Sequence, residues 1–282
     1  VIAGFRPSQD LSYSPLATTH DNGTAWTPGL LDAALADVPD ALAAAPGSGR
    51  LLALLAVGEA ELSGPGGRAW RRLATRRALA ASAAGRRCEP GRLTAAAFSP
   101  SGVPLLAASC GSPGTAGVFA YAGGTWHPAG PTLPASYAHQ DVTVLRLTAT
   151  AGTTMALLAA GTGSAARLLA AWSADGGARW ALSQPLPLHD ARLTSASSGA
   201  GGSVAVVASG NHAETITGPA GTWRPLPALP PGTATLAPGR MGGWDALAVH
   251  RTKLAVWQLA PGGATWAAAQ TINVPIEFGS SG

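Results

Sequence analysis

The chain has 282 residues, 46% of them hydrophobic and 11% charged, with 37 Gly and 23 Pro. That apolar content excludes general disorder, because enough surface can be buried to offset the entropy of ordering. A net charge of +4 rests on arginine, since Lys253 is the one lysine, and the excess is local: Arg68, Arg71, Arg72, Arg76, Arg77, Arg86, Arg87 and Arg92 crowd together. Such a patch attracts polyanions, but nucleic-acid readers interleave Lys, Arg and aromatics over a broader face, so a solvated outer strand and loop is expected and nucleic acid is not the expected partner.

In chain order, 18 residues precede the first turn-like phrase, too few for a full set of strands. Residues 32–46 hold a helix by their Ala and Leu content, or a linker and short strand by Pro39 and Pro46. The apolar run Leu51 to Val57 is far too short to span a bilayer, which needs about 18 to 20 residues. Strands are predicted at Leu93–Phe98, Val103–Ser109, Gly117–Tyr121 and Thr125–Pro128, then at Val142–Ala149, Thr153–Ala160, Arg167–Ser173 and Arg179–Ser183. Continuous apolar runs such as Met155 to Ala160 and Val204 to Ala208 suit inner strands covered on both faces. The segment Thr271-Ile-Asn-Val-Pro-Ile-Glu-Phe278 is expected to return beside the N-terminal residues and close the fold.

A phrase recurs in which a strand-like run ends in a Gly-rich turn and Trp. The copies are Thr19-His-Asp-Asn-Gly-Thr-Ala-Trp26, Ser63-Gly-Pro-Gly-Gly-Arg-Ala-Trp70, Tyr121-Ala-Gly-Gly-Thr-Trp126, Ser173-Ala-Asp-Gly-Gly-Ala-Arg-Trp180, Thr217-Gly-Pro-Ala-Gly-Thr-Trp223 and Ala260-Pro-Gly-Gly-Ala-Thr-Trp266. The intervals between tryptophans are 44, 56, 54, 43 and 43, close to one four-stranded propeller blade with two longer linkers. The expected fold is therefore all-β: one domain over 1–282, a six-bladed β-propeller of four-stranded antiparallel blades, its ring closed by the C-terminal strand.

Two copies, at Thr19–Trp26 and Ser173–Trp180, carry Ser/Thr-x-Asp-x-Gly-x-x-Trp, which resembles the Asp-box of sialidases and related repeat proteins. The resemblance implies structural roles for Asp21, Gly23 and Trp26 and for Asp175, Gly177 and Trp180, in outer hairpins away from any pocket. The Asp accepts backbone N–H bonds within its turn, Gly permits positive φ, and Trp packs between sheets. A sialidase would also need three arginines, a Tyr–Glu pair and an Asp acid. Gly4-Phe-Arg-Pro7 lacks the Ile of the family's Phe/Tyr-Arg-Ile-Pro motif, which leaves Arg6 without its context, and no Glu is assigned to Tyr13, Tyr121 or Tyr137.

Two His–carboxylate pairs, His139 with Asp141 and His189 with Asp190, fall in linkers between repeats. In a propeller such linkers gather at the channel mouth, so Arg87, Arg92, His139, Asp141, His189 and Asp190 are the candidate ligand residues. The pairs suit a shared proton or a divalent metal, or serve as ordinary polar loops. No cofactor and no resident metal are expected. Cys88 and Cys110 lack metal-ligand spacing, and the hairpin between Leu93 and Ser109 places them about one step beyond its open end, so a disulfide is expected. Two free thiols are the alternative. With a first residue other than Met, the disulfide points to an extracellular or cell-surface address. The functional expectation is a noncatalytic binding or scaffold propeller, monomeric, for a glycan, small molecule or protein. The alternatives are a sialidase-like glycan hydrolase and an assembly factor for a membrane-associated complex, as in photosystem assembly propellers with similar repeats.

Overall fold

A computed structural model describes residues 2–4, 16–18, 27–28, 40–55, 58–67, 69–150, 152–188, 193–198, 203–208, 212–239, 242–250 and 253–273. Among these the chain forms six antiparallel sheets, each a meander of strands consecutive in sequence. The first holds β1 (Ile2–Gly4), β2 (Leu16–Thr18) and β3 (Thr27–Pro28). The second holds β4 (Ala41–Ala44), β5 (Leu51–Leu55), β6 (Glu59–Leu62) and β7 (Arg71–Thr75), and the third β8 (Pro90–Phe98), β9 (Pro104–Cys110), β10 (Gly117–Ala122) and β11 (Thr125–Pro128). In the fourth, β12 (Val142–Thr150), β13 (Thr153–Ala160) and β14 (Arg167–Ser173) are followed by β15 (Ala181–Leu182) and β16 (Leu186–Pro187), both paired with β14. The fifth runs β17 (Leu193–Ser198), β18 (Ser203–Ala208), β19 (His212–Thr217), β20 (Arg224–Pro225), and the sixth β21 (Thr233–Pro238), β22 (Trp244–His250), β23 (Lys253–Leu259), β24 (Ala267–Asn273).

By its internal contacts the chain divides into two compact units, residues 1–158 with 173–180 and residues 159–172 with 181–282. In the first unit, Leu52, Leu54 and Leu62 of the second sheet meet Phe98, Leu106 and Phe119 of the third in one core. In the second unit, Ala213 and Leu229 meet Leu236, Trp244, Ala246 and Leu259. Every residue of β5, Leu-Leu-Ala-Leu-Leu, is buried, as a continuous apolar run requires when both faces are covered, whereas β11 is exposed along most of its length.

The six tryptophans of the recurring phrase take equivalent places where they are described. Trp70, Trp180, Trp223 and Trp266 stand immediately before the outermost strands β7, β15, β20 and β24, and Trp126 is the second residue of β11. Trp26 lies outside the described residues.

Two expectations need correction. Thr271–Asn273 do not pair with the first sheet; they end β24, with Asn273, Ile272 and Thr271 opposite Lys253, Leu254 and Ala255. The turn after Leu259 brings this segment directly beside β23, so it becomes the outermost strand of its own sheet; residues 274–278 lie outside the described residues. The Arg-rich stretch is also more than a strand and loop. After β7 the chain enters α1 (Arg76–Ala81) and α2 (Gly85–Cys88) before β8 begins.

Local chemistry explains the helices. Thr75 accepts a bond from the Ala78 N–H at 3.0 Å and caps α1, whose Arg, Ala and Leu are strong helix formers. Leu79 is fully buried in the core shared by the second and third sheets, a burial that contributes about 1.5–3 kcal/mol to holding the insertion in place. The Ser82 hydroxyl donates to Leu79 O and accepts from Gly85 N, closing one helix and opening the next. At Gly85 a Cβ would lie 1.9 Å from Leu79 O, so this junction requires glycine.

Candidate functional site

The helical insertion is tied down covalently. Cys88, the last residue of α2, bonds to Cys110 at the end of β9, with S–S 2.05 Å and Cα atoms 4.8 Å apart. The β8–β9 register shifts twice, between Ala95 and Leu93 and between Leu93 and Pro90, so that Pro90 stands opposite Cys110. Gly111 N and Ser112 N then donate to Glu89 O and Cys88 O. The sulfurs lie over Gly117, where a Cβ would meet Cys110 Sγ at 2.8 Å and Cys88 Sγ at 3.1 Å.

On this clamped insertion and the adjoining β7, Arg71, Arg76, Arg77, Arg86 and Arg87 are exposed. Among the described residues none of the five forms an ion pair; the three ion pairs present are Arg72–Glu59 at 3.0 Å, Arg92–Asp40 at 3.4 Å and Arg179–Asp175 at 3.0 Å. Arg86 donates to Ala81 O at 2.7 Å, which leaves its charge uncompensated.

Two open clefts meet at Arg87. One, of about 510 Å³, lies between the helices and β11 and is lined by Ser82, Ala84, Arg87, Thr125, Trp126 and His127 with their neighbours. The other, of about 330 Å³, shares Ala84, Arg87 and Pro128 with it and continues past Cys88 to Thr115 and Thr132. No acidic side chain lines either cleft. Trp126 is half-buried, packed against the core on one side and 5.0 Å from the ring of Tyr121. His127 Nε2 sits 2.9 Å from Thr125 Oγ1 and 3.2 Å from Ala122 O, which fixes the ring.

The other candidate residues are dispersed. Arg92 lies on β8, engaged with Asp40, and its backbone N–H donates to Ser109 Oγ. His139 and Asp141 are exposed on the turn before β12, flanking Gln140, whose backbone carbonyl accepts from Gly114 N. No hydrogen bond or ion pair joins Arg87, Arg92, His139 and Asp141 to one another among the described residues, and no group of three or more His, Cys, Asp or Glu there has a metal-binding arrangement. His189, Asp190, Asp21, Gly23 and Arg6 lie outside the described residues.

The hairpin at 173–180 is a closed hydrogen-bonded unit. Asp175 Oδ1 accepts from the Ser173 hydroxyl and from Arg179 N, Asp175 Oδ2 accepts from Arg179 Nε, and Ser173 Oγ accepts from Gly177 N. The backbone N–H of Arg179, its guanidinium and the Ser173 hydroxyl hold the carboxyl at a pKa of about 2. Gly177 adopts φ +105°, and a Cβ there would lie 2.8 Å from Ala129 O. The Trp180 indole N–H donates to that same carbonyl at 2.9 Å.

That last bond recurs. The Trp223 N–H donates to Gln184 O and the Trp266 N–H to Pro227 O. Each acceptor lies one or two residues past the outer strand of the preceding repeat, so the indole staples successive repeats at their outer edge. The Trp70 N–H donates instead to Gly67 O in its own hairpin, and the Trp126 N–H makes no hydrogen bond among the described residues; where a carbonyl would follow β7, the chain enters α1.

The sequence reading missed the insertion and the Trp126 cleft. A signal was present in the interval of 56 between Trp70 and Trp126, the longest of the set.

No family model matches the chain, and no curated protein matches it. Solved structures similar to it are β-propellers, and the chain shares their fold. RRP9 WD40 repeats align over 97% of this chain and 84% of theirs, with a TM-score of 0.57 and 11% identity. YCF48 bound to D1 peptide aligns over 90% and 74%, with a TM-score of 0.54 and 14% identity. The gluconolactonase XC5397 from Xanthomonas campestris aligns over 83% and 75%, with a TM-score of 0.51 and 10% identity.

Proposed function

We propose that this chain is a noncatalytic six-bladed binding or scaffold propeller, displayed outside the cell, whose ligand engages the arginine face of α1 and α2. The observation that carries the reading is the set of five exposed arginines without acidic partners among the described residues, on β7 and on helices clamped by a disulfide, with Arg87 lining two clefts. Helix capping by Thr75 and Ser82, the buried Leu79 and a covalent tie hold the cations on a rigid platform, and preorganisation lowers the cost of binding. Six sheets with their tryptophans before or within the outermost strands support the blade count, and the bonds of Ser173, Asp175 and Gly177 support an Asp-box assignment for that hairpin. The disulfide supports an oxidising compartment. Among the described tyrosines, Tyr137 is buried and Tyr121 packs on Trp126, positions that favour structure over nucleophilic chemistry.

The test is binding of purified protein to panels of anionic and neutral glycans and peptides at physiological salt. Anionic probes should be retained, and a variant carrying Arg76→Ala, Arg77→Ala, Arg86→Ala and Arg87→Ala should release them while keeping its circular dichroism. Equal retention by that variant, or no anionic binding at all, refutes the reading. Release of a fluorogenic sialoside that is lost on replacing Arg6 would instead establish the hydrolase alternative.

A further inference from the structure

In the hairpins before β15, β20 and β24 the tryptophan N–H closes the outer edge against the preceding repeat. At Trp126 the helical insertion replaces the acceptor, and the cleft of about 510 Å³ opens between the indole and α2. Its volume lies within the range of small-ligand clefts, about 300–1,000 Å³. The lining brings together a half-buried indole whose N–H makes no hydrogen bond among the described residues, Arg87 and His127, with no carboxylate to compensate the arginine. The indole N–H and the Arg87 guanidinium are the donors here, beside one aromatic face, since His127 Nε2 is already engaged with Thr125 Oγ1 and Ala122 O; the pair calls for a ligand that is anionic, rich in oxygen acceptors and able to lay C–H groups on a ring.

We propose that this cleft binds a uronate-bearing oligosaccharide, with Arg87 pairing the sugar carboxylate and Trp126 supplying the stacking face and its free N–H. The proposal rests on the arginine face being the ligand surface. A guanidinium meets a carboxylate through two parallel N–H bonds, and the pyranose ring offers the C–H face that an indole accepts. The second cleft, continuous at Arg87, gives the chain of sugars a direction in which to extend.

An acidic peptide is the competing occupant, and the strand edge argues against it. The Gly123-Gly124 turn, with φ of +59° and +80°, makes a two-residue hairpin in which Thr125 and His127 spend their backbone bonds on β10. The outer edge is left with the N–H of Trp126 and then Pro128, which has none, so adding a strand would gain little.

The experiment is titration of tryptophan fluorescence and heat with tetragalacturonate, its methyl ester and a tetraglutamate peptide. Tetragalacturonate should bind. Arg87→Ala should weaken it at least about tenfold, the worth of a charge-assisted bond, with Arg87→Lys falling between. Trp126→Phe keeps the packing, loses the N–H and should weaken binding by about tenfold, whereas Arg224→Ala, which removes the same charge from β20, should change little. Equal affinity for the methyl ester or for tetraglutamate, or indifference to Arg87→Ala, overturns the proposal. If tetragalacturonate fails while other anions bind through Arg76 and Arg77, the arginine face stands and the saccharide assignment falls. If no anion binds, both fall.

Discussion

Removing the Cys88–Cys110 bridge should destabilise the fold chiefly through the unfolded chain. The bridge spans a sequence separation of 22 residues. In the chain-entropy model, closing such a loop removes about 11 cal/mol/K from the unfolded ensemble, or about 3 kcal/mol at 25 °C. In the folded state the same span is already closed by β8 and β9, and the backbone bonds of Gly111 and Ser112 to Glu89 and Cys88 do not involve sulfur. Native contacts therefore survive the loss. For a chain of this size each kcal/mol shifts Tm by about 2–4 °C, so the double variant Cys88→Ala, Cys110→Ala should melt about 6–12 °C lower. Thermal melts by circular dichroism with and without reductant provide the assay: reductant should move the wild type towards the variant and leave the variant where it is. A variant that melts within about 2 °C of oxidised wild type would refute the argument, since that shift is worth no more than about 1 kcal/mol. Two reactive thiols in denatured, unreduced protein would refute the bridge itself and remove the support for an oxidising compartment.

Trp180→Phe should lose about 0.5–1.5 kcal/mol in denaturant melts, the net worth of the bond to Ala129 O, while Trp126→Phe, which has no such bond to lose, should cost less; equal losses would sink the staple reading. Asp175 has its folded pKa depressed to about 2 from 3.8, so its contribution to stability is complete above about pH 4 and disappears as pH falls towards 2. Asp175→Asn should flatten the pH dependence of Tm in that window, and an unchanged slope would show that the carboxylate plays no part. Burial, aided by the neighbouring Glu59 and opposed by Arg72, raises the Glu61 pKa, so the ionised form weighs against folding and its stabilising contribution is lost as pH rises through the raised pKa. Glu61→Gln should raise Tm at pH 7 and make less difference at pH 4; a gain that is the same at both pH values would show that charge is not the cause.

The repeat was legible because its punctuation is local chemistry. A Gly-rich turn followed by Trp states where one strand ends and the next begins, and strands such as Thr125–Pro128, Thr153–Ala160 and Arg167–Ser173 appear with the bounds their apolar runs imply. The bridge was legible for the same reason, since a hairpin converts sequence distance into spatial proximity. What escaped the sequence reading depended on competition between segments. Thr271 to Asn273 had two possible neighbours, and the choice of β23 follows from a turn that delivers them there before any distant strand can compete. The stretch Arg76 to Cys88 has helix-forming residues, but it becomes a platform only because Leu79 finds the shared core and Cys88 finds Cys110. The cleft at Trp126 follows in turn from the insertion: the same indole that staples three other repeats has no hydrogen bond among the described residues where the chain has been diverted into a helix. A motif read alone therefore assigns Trp126 a structural role, and only the position of α1 shows that its N–H is available for something else.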